Sequence, residues 1–179
     1  MLKIVEMTTL NIGDINKANQ PFNIIGRLEL SFENGKWNYN EIADEAVVRK
    51  QYPNYDGQTP DDYISSNERM VYLAYSEEKC VGQILLAKSW NGYIHIEDIS
   101  VAEAFRGSGV GTMLLKKAYE YAKANGISAL SIECQSNNVL ASRFLIKNGF
   151  EIGGVNTRLY SMLGPLYESE TAVFWYKNL

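Results

Sequence analysis

The sequence is poor in the residues that build metal centres and disulfide frameworks. Its 179 residues include two cysteines and one histidine. Cys80 and Cys134 have neither the partners nor the spacing of a zinc site or a disulfide pair. His95 alone cannot supply the imidazoles of a multi-histidine centre. We therefore expect two reduced thiols and no bound metal.

Long apolar runs and an excess of positive charge are also missing. The stretch from Met1 to Asn11 alternates apolar with polar residues, and no long apolar run follows a basic start, as it would in a signal peptide or membrane span. The formal net charge is -4, which favours cationic partners over nucleic acid. We expect a cytoplasmic protein with neither a membrane nor a nucleic acid as partner.

Apolar residues, by contrast, are abundant enough for one continuous core. They make up 46% of the chain and charged residues 21%, a balance typical of one globular domain of this length. Repeats, linkers and low-complexity tracts are absent from the sequence. One domain spanning residues 1–179 is predicted.

The N-terminal part begins with β structure and then becomes acidic. Strands are predicted at Leu2 to Met7, Phe22 to Phe32 and Trp37 to Asn40, with Asn34-Gly35 as the hairpin turn. From Glu41 to Glu68 the pattern is irregular, and a cation is expected to bind there. The acids of this stretch are Glu41, Asp44, Glu45, Asp56, Asp61, Asp62 and Glu68.

Thr59-Pro60-Asp61-Asp62 has the form of a helix start within that stretch. A capping hydroxyl, a proline in the first turn and acids near the positive end of the dipole are ordinary features of helix N-termini. Asp61 and Asp62 therefore either cap a short helix or contact substrate, and capping is the favoured interpretation.

The rest of the chain predicts an antiparallel meander followed by alternating strands and helices. The fold class is accordingly mixed α/β, with a mixed, mostly antiparallel sheet flanked by helices and βαβαββ as the C-terminal order. The predicted elements are strands at Arg69 to Ser76, Cys80 to Lys88 and Tyr93 to Val101, a helix ending at Asn125-Gly126, a strand at Ala129 to Cys134, a helix that starts after its cap Asn137 and ends at Asn148-Gly149, and strands at Phe150 to Tyr160 and Thr171 to Tyr176.

The segment Arg106-Gly107-Ser108-Gly109-Val110-Gly111 leads from a strand into a helix. Backbone N–H groups at a helix start lack intrahelical partners, and glycines let a diphosphate approach them closely. A plain glycine-rich turn is one alternative. A Rossmann turn is another, but it requires a different glycine spacing near the start of a parallel sheet. A phosphate site is favoured.

Two carboxylates, Glu97 and Asp98, precede this turn in the same strand. Adjacent strand residues point to opposite faces, so at most one of them should face a substrate unless a bulge intervenes. Either could accept a proton from an amine, or each could simply face solvent or pair with a cation. His95 is a third candidate on the face of Glu97, although packing is the commoner role of a lone strand histidine.

The sequence resembles the GCN5-related N-acetyltransferase superfamily. Arg106, Gly109 and Gly111 match its signature of Arg or Gln, two residues, Gly, one residue, then Gly or Ala. The similarity covers about residues 69–150, leaving residues 1–68 as an acceptor-side portion. It includes five positions of the second helix region, namely Asn138, Ala141, Phe144, Gly149 and Phe150.

Four further segments are distinctive, namely YIHIEDISV from Tyr93 to Val101, the FRGSGVG that follows, AVFWY from Ala172 to Tyr176, and Gln20 to Gly26. Through them the chain resembles the streptothricin acetyltransferase family within the superfamily. This resemblance implies transfer of acetyl from acetyl-CoA to an amine on the β-lysine portion of a cationic antibiotic. Acceptance by a protein or peptide amine, or a coenzyme-binding module without chemistry, are the alternatives.

The superfamily resemblance also implies the coenzyme contacts. The backbone of Ile99, Ser100 and Val101 would bind the pantetheine arm, with Asn138 on its other side. The turn from Arg106 to Gly111, with Thr112 immediately after it, would bind the pyrophosphate.

One position departs from the superfamily pattern. Leu145 stands where the family commonly has a tyrosine acid, and Tyr160, Tyr167 or Tyr176 could replace that acid from another element. Cys134 has no activating neighbour in sequence, so direct transfer without an acetyl-enzyme is expected. The apolar, tyrosine-rich C-terminal strand could pair across a homodimer.

Overall fold

A computed structural model describes residues 1–54, 59–164, 167 and 170–179. These residues form two compact units. Unit 1 comprises Met1–Pro21, Gln51–Leu130 and Asn178–Leu179, and unit 2 comprises Phe22–Lys50 and Ser131–Lys177. The single domain over residues 1–179 stays a prediction.

The described elements follow the predicted order and confirm the mixed α/β class, with a mostly antiparallel sheet flanked by helices. None of the described helices combines the length and apolar character needed to cross a membrane. In chain order the strands and α-helices are β1 (Leu2–Glu6), β2 (Phe22–Glu33), β3 (Lys36–Lys50), α1 (Pro60–Ser65), β4 (Arg69–Ser76), β5 (Lys79–Lys88), β6 (Ile94–Val101), α2 (Val110–Ala124), β7 (Ala129–Gln135), α3 (Val139–Lys147), β8 (Glu151–Asn156) and β9 (Ala172–Asn178).

In unit 1 the strands are ordered β1-β4-β5-β6, and each neighbouring pair is antiparallel. Helix α2 packs against β5 and β6. A Cβ on Gly82 would lie only 2.9 Å from Val110 Cγ1, so glycine allows the helix start to approach β5 closely. The beginning of α2 is thereby fixed against this sheet.

The other face of the unit 1 sheet carries α1. Tyr63 of α1 packs in a buried cluster with Leu85 of β5 and with Val71 and Leu73 of β4. Because strand residues two apart share a face, Gln83 lies on the same face as Leu85. Gly82, which faces α2, lies on the opposite one.

Unit 2 contains the hairpin of β2 and β3, and its other strands are ordered β7-β9-β8. The hairpin turn is as predicted, with positive φ angles of 54° at Asn34 and 77° at Gly35. Because β9 is flanked by β7 and β8, both of its edges are already paired. The prediction that this C-terminal strand pairs across a dimer is therefore wrong.

Strand β3 corrects the predicted irregular stretch that begins at Glu41. It continues to Lys50, and most of its residues are exposed. A strand without a buried face shows no apolar alternation, so the pattern hides it. Ile24 pairs with Val48 and Gly26 with Ala43, which leaves residues 44–47 as an irregularity in the ladder.

The end of β8 and the cap of α3 also differ from the predictions. Strand β8 ends at Asn156 instead of continuing to Tyr160. The cap of α3 is Asn138 instead of Asn137, because the Oδ1 atom of Asn138 accepts the Ala141 N–H at 3.1 Å. Both asparagines are good caps by type, so sequence alone does not choose between them.

Candidate functional site

A β-bulge in β6 brings Glu97 and Asp98 to one face of the sheet. Leu85 pairs with Asp98, but Leu86 pairs with Ile96, so β6 has one residue more than β5 at this point. Such a bulge breaks the alternation of side chains. A bulge therefore intervenes here, and both adjacent carboxylates can face the same side of the sheet.

The contacts of the two carboxylates agree with this placement. Asp98 Oδ2 accepts a hydrogen bond from Gln83 Nε2 at 2.6 Å, and Gln83 lies on the face that carries α1. Glu97 Oε2 accepts one from the Tyr63 hydroxyl of α1, also at 2.6 Å. Both acids thus face the α1 side of unit 1.

Glu97 is held by a cation as well as by Tyr63. Arg69 Nη1 donates to both carboxylate oxygens, at 2.7 and 2.9 Å. The Arg69 guanidinium also lies over the Tyr63 ring, 5.5 Å from its centroid. This arrangement offsets the charge of Glu97 and fixes its orientation.

Asp98 is held by neutral donors. The Ser100 hydroxyl lies 2.9 Å from both of its oxygens and Gln83 reaches the Oδ2 atom. Burial raises the pKa of Asp98, while the hydrogen bonds from Gln83, Ser100 and the Ile99 backbone oppose that rise. A carboxylate with a raised pKa is a better proton acceptor near neutral pH.

His95 shares this face. It pairs with Ala87, which lies two residues from Leu85 in β5. Burial lowers the pKa of His95, and the nearby Glu97 carboxylate opposes that shift. Its imidazole is therefore neutral at physiological pH.

The predicted phosphate turn has the required backbone conformation. Gly107 and Gly109 have φ angles of 76° and 92°, values that favour glycine. Helix α2 begins at Val110, and its first intrahelical bond runs from the Met113 N–H to the Gly109 carbonyl at 3.0 Å. The N–H groups of the first turn therefore have no intrahelical acceptors.

The Cβ positions of the two turn glycines also face open space. A Cβ placed on Gly107 or Gly109 would meet no heavy atom within 4 Å. Unpaired N–H groups beside open space at a helix N-terminus suit a diphosphate. These residues therefore fit the pyrophosphate of a coenzyme.

The Arg106 side chain turns to backbone carbonyls. Its Nε donates to Val101 O at 2.9 Å, Nη1 to Pro21 O at 2.8 Å and Nη2 to Gln20 O at 2.9 Å. The main chain just before the turn is also fixed, because the Ala102 N–H donates to Val81 O at 2.9 Å. The turn is thus bonded to β6 and to residues 20–21.

Comparison with known proteins agrees with a coenzyme site. A model of the acetyltransferase (GNAT) family matches residues 36–150. The chain belongs to this family. It is an acetyltransferase, and acetyl-CoA is the acetyl donor.

Individual relatives match over nearly the whole chain. Streptothricin acetyltransferase A of Bacillus subtilis (strain 168) is 43% identical over 173 residues, which is 97% of this chain and 98% of that protein. A Bacillus anthracis str. Ames protein assigned as a streptothricin acetyltransferase and crystallised with acetyl coenzyme A has a TM-score of 0.91, 31% identity and coverage of 100% of both chains. A nourseothricin acetyltransferase structure, 22% identical with a TM-score of 0.82 and covering 99% of this chain and 98% of its own, shares the fold.

Unit 2 contains Asn138, which the GNAT resemblance implied as a coenzyme contact. It also contains Leu145, which stands where the family commonly has a tyrosine. Asn138 caps α3 and is almost fully buried, and Leu145 is 1% exposed. The position of the usual tyrosine is therefore part of the core of this acetyltransferase. Of the three alternative tyrosines, Tyr160 donates to Glu133 Oε1 and the Tyr167 ring lies 5.4 Å from Lys50 Nζ.

Burial raises the pKa of two groups in this part of the acetyltransferase. The pKa of Cys134 rises to about 12. Burial also raises the pKa of Glu133, and the hydrogen bond from Tyr160 opposes that rise. A thiol with such a pKa stays protonated at neutral pH and is a poor nucleophile. Cys134 is therefore a packing residue.

Three acids of the acidic stretch bond to other residues of the protein. Asp62 Oδ2 accepts from both the N–H and the hydroxyl of Thr59 at 2.8 Å, which confirms its capping role. Glu41 accepts from Arg143 and Asp44 from Arg27. Asp56 lies outside the described residues. Within the described ranges, no group of three or more histidine, cysteine or acidic side chains is placed to hold a metal ion.

Several partners of the site were not predicted from sequence. Tyr63, Arg69 and Gln83 contact the two carboxylates from elements far along the chain. Similarly, buried Glu170 accepts from Lys50, a residue 120 positions away. No local pattern marks such residues, because each is recognised only through its three-dimensional contact.

Proposed function

We propose that this acetyltransferase transfers acetyl from acetyl-CoA to an amine of the β-lysine portion of streptothricin, and so confers resistance. The observation that carries the proposal is the 43% identity over 97% of the chain to a streptothricin acetyltransferase. The match includes the segments outside the coenzyme-binding core, where differences between acceptors are expected.

On the donor side, we assign the pyrophosphate to the backbone of residues 106–112 and the pantetheine arm to the main chain of residues 99–101, with Asn138 as a further contact. Bound acetyl-CoA supplies a thioester carbonyl that an amine can attack. Ser100 contributes only its main chain to this binding, because its hydroxyl bonds to Asp98.

Proton removal is assigned to the carboxylates of β6. A lysine-like amine has a reference pKa of about 10.4, so it arrives protonated and must lose a proton before attack. The raised pKa of Asp98 makes this residue the favoured acceptor, directly or through a water. Glu97 lies on the same face, but its carboxylate is already bound by Arg69 and Tyr63, so it is the second candidate for this role.

The departing thiolate needs little assistance. Its pKa is near that of a free thiol, about 8.5, so it is a tolerable leaving group, and general acid catalysis is typically worth about 10²- to 10⁴-fold. With Leu145 in the core, we assign most of the rate to positioning of the two substrates.

Direct transfer is the proposed route, and Cys134 provides a test. Cys134→Ala is expected to keep turnover within about twofold of wild type, because a buried, protonated thiol has no part in the reaction. Mass spectrometry of the wild-type enzyme mixed with acetyl-CoA alone should detect no added acetyl group. An acetylated peptide containing Cys134, together with loss of turnover in the variant, would establish a covalent route instead.

We also propose a cytoplasmic location. We further propose that no nucleic acid is a partner, because the net charge of -4 disfavours one. A homodimer stays a proposal too. Any such interface must use a surface other than the paired edges of β9.

The deciding experiment is a steady-state assay of thiol release with acetyl-CoA and a panel of amines. We expect saturable turnover on streptothricin and little on lysine-containing or N-terminal peptides. Preference for peptides would identify a protein or peptide amine as the acceptor instead of streptothricin. Tight coenzyme binding without turnover on any amine would favour the non-catalytic module.

A further inference from the structure

Two residues in the N-terminal part, Gln20 and Pro21, form hydrogen bonds with the coenzyme turn and with the residues just before it. The carbonyls of Gln20 and Pro21 accept hydrogen bonds from Nη2 and Nη1 of Arg106 at 2.9 and 2.8 Å. In addition, the Gln20 Oε1 atom accepts the Glu103 N–H at 2.8 Å. Residues on both sides of Phe105 are thus attached to the same dipeptide.

The segment that ends in this dipeptide is anchored at its other end as well. The Asn16 N–H donates to Gln83 Oε1 at 2.6 Å, and Gln83 Nε2 donates to Asn16 Oδ1 at 3.2 Å. Gln83 is fully buried and also bonds to Asp98. We call the segment from Asn16 to Pro21 the brace, since it is bonded at one end beside Asp98 and at the other to the phosphate turn.

We propose that Arg106 is a positioning residue, which sets the coenzyme turn by binding the brace and not by placing its charge on the pyrophosphate. The proposal rests on the assignment of this turn to the coenzyme. Gly107 and Gly109 leave the turn backbone with wide conformational freedom, so something outside the turn must fix the direction of its N–H groups. The planar guanidinium does so by reaching three carbonyls at once.

If Arg106 acts in this way, the shape of its guanidinium matters more than its positive charge. Lysine keeps the positive charge but lacks the planar fork, so it cannot hold Val101, Gln20 and Pro21 together. A residue acting by charge on the pyrophosphate would tolerate lysine, whereas a residue acting through the brace would not.

The experiment is calorimetric titration of acetyl-CoA into wild type, Arg106→Lys, Arg106→Ala and Gln20→Ala. Loss of hydrogen bonds to a charged group should weaken coenzyme binding on the order of tenfold in both Arg106 variants and less in Gln20→Ala. Adding Gln20→Ala to Arg106→Ala should produce less loss than the two single effects would give if added, because the Gln20 side chain and the Arg106 guanidinium attach the turn to the same brace through separate hydrogen bonds. Arg27→Ala, which removes an exposed arginine paired with Asp44, is the matched control and should bind as wild type does.

A second readout uses the protein without coenzyme. Amide hydrogen exchange of residues 107–112 should be faster in Arg106→Lys than in wild type, and KM for acetyl-CoA should rise while kcat at saturation changes little. Wild-type affinity and wild-type exchange in Arg106→Lys would overturn the proposal. Since coenzyme binding needs no acceptor, binding without transfer to streptothricin would remove only the proposed function, and the Arg106 comparison would stand.

Discussion

Replacing Asp98 with asparagine is expected to lower turnover by about 10²- to 10⁴-fold, the usual contribution of a general base. Asparagine keeps the shape of the side chain and can still bond to Gln83 and Ser100, but it cannot accept the proton of the acceptor amine. Affinity for acetyl-CoA should stay near the wild-type value. Steady-state kinetics with streptothricin and calorimetry with acetyl-CoA measure the two quantities separately.

The matched control is Asp62→Asn, because Asp62 is also a hydrogen-bonded carboxylate of unit 1 but caps α1. It should turn over at nearly the wild-type rate. Glu97→Gln should lower turnover less than Asp98→Asn does, since Glu97 is already held by Arg69. Undiminished turnover in the Glu97→Gln, Asp98→Asn double variant would remove both residues from the mechanism.

Gly109→Ala is expected to weaken acetyl-CoA binding about tenfold or more. The φ angle of 92° at Gly109 disfavours alanine, and relief of that strain, on the order of 1 kcal/mol, would tilt the N–H groups that open α2. The measurement is KM for acetyl-CoA, supported by direct titration. kcat at saturating coenzyme should change much less.

Gly92→Ala separates backbone strain from coenzyme binding. Gly92 has a φ angle of 84°, and a Cβ there also meets nothing within 4 Å, so its substitution should cost comparable stability. It lies in the turn before β6, away from the phosphate turn. Equal losses of coenzyme affinity in the two variants would mean that the Gly109 effect is general destabilisation.

The sequence predicts most elements of this fold because their patterns are local. Strand β4 occurs at its predicted bounds, Arg69–Ser76, and α2 ends before the Asn125-Gly126 signal, where the φ angle of Gly126 is 68°. Strand β3 was missed beyond Asn40 for the opposite reason. Its exposed residues carry no alternation, and it is recognised as a strand only through its pairing with β2.

The orientation of the two acids was beyond reach of the sequence. Alternation assigns Glu97 and Asp98 to opposite faces, and only the offset between Leu85 and Leu86 in the pairing with β6 reverses that assignment. A bulge depends on the partner strand, so it leaves no reliable mark in β6 itself. The glycines of the phosphate turn, by contrast, could be predicted, because the positive φ angles that favour glycine depend on the local backbone and not on a partner strand.

The bonds between Arg106 and residues 20–21 also bear on where the working unit of this enzyme starts. The family match begins at residue 36, but Pro21, which holds the turn, lies 85 positions before Arg106. A protein shortened to the matched region would keep every glycine of the turn and lose the carbonyls that orient it. Truncation boundaries for expression, and alignments used to transfer function, therefore need to include the chain from Asn16 onward.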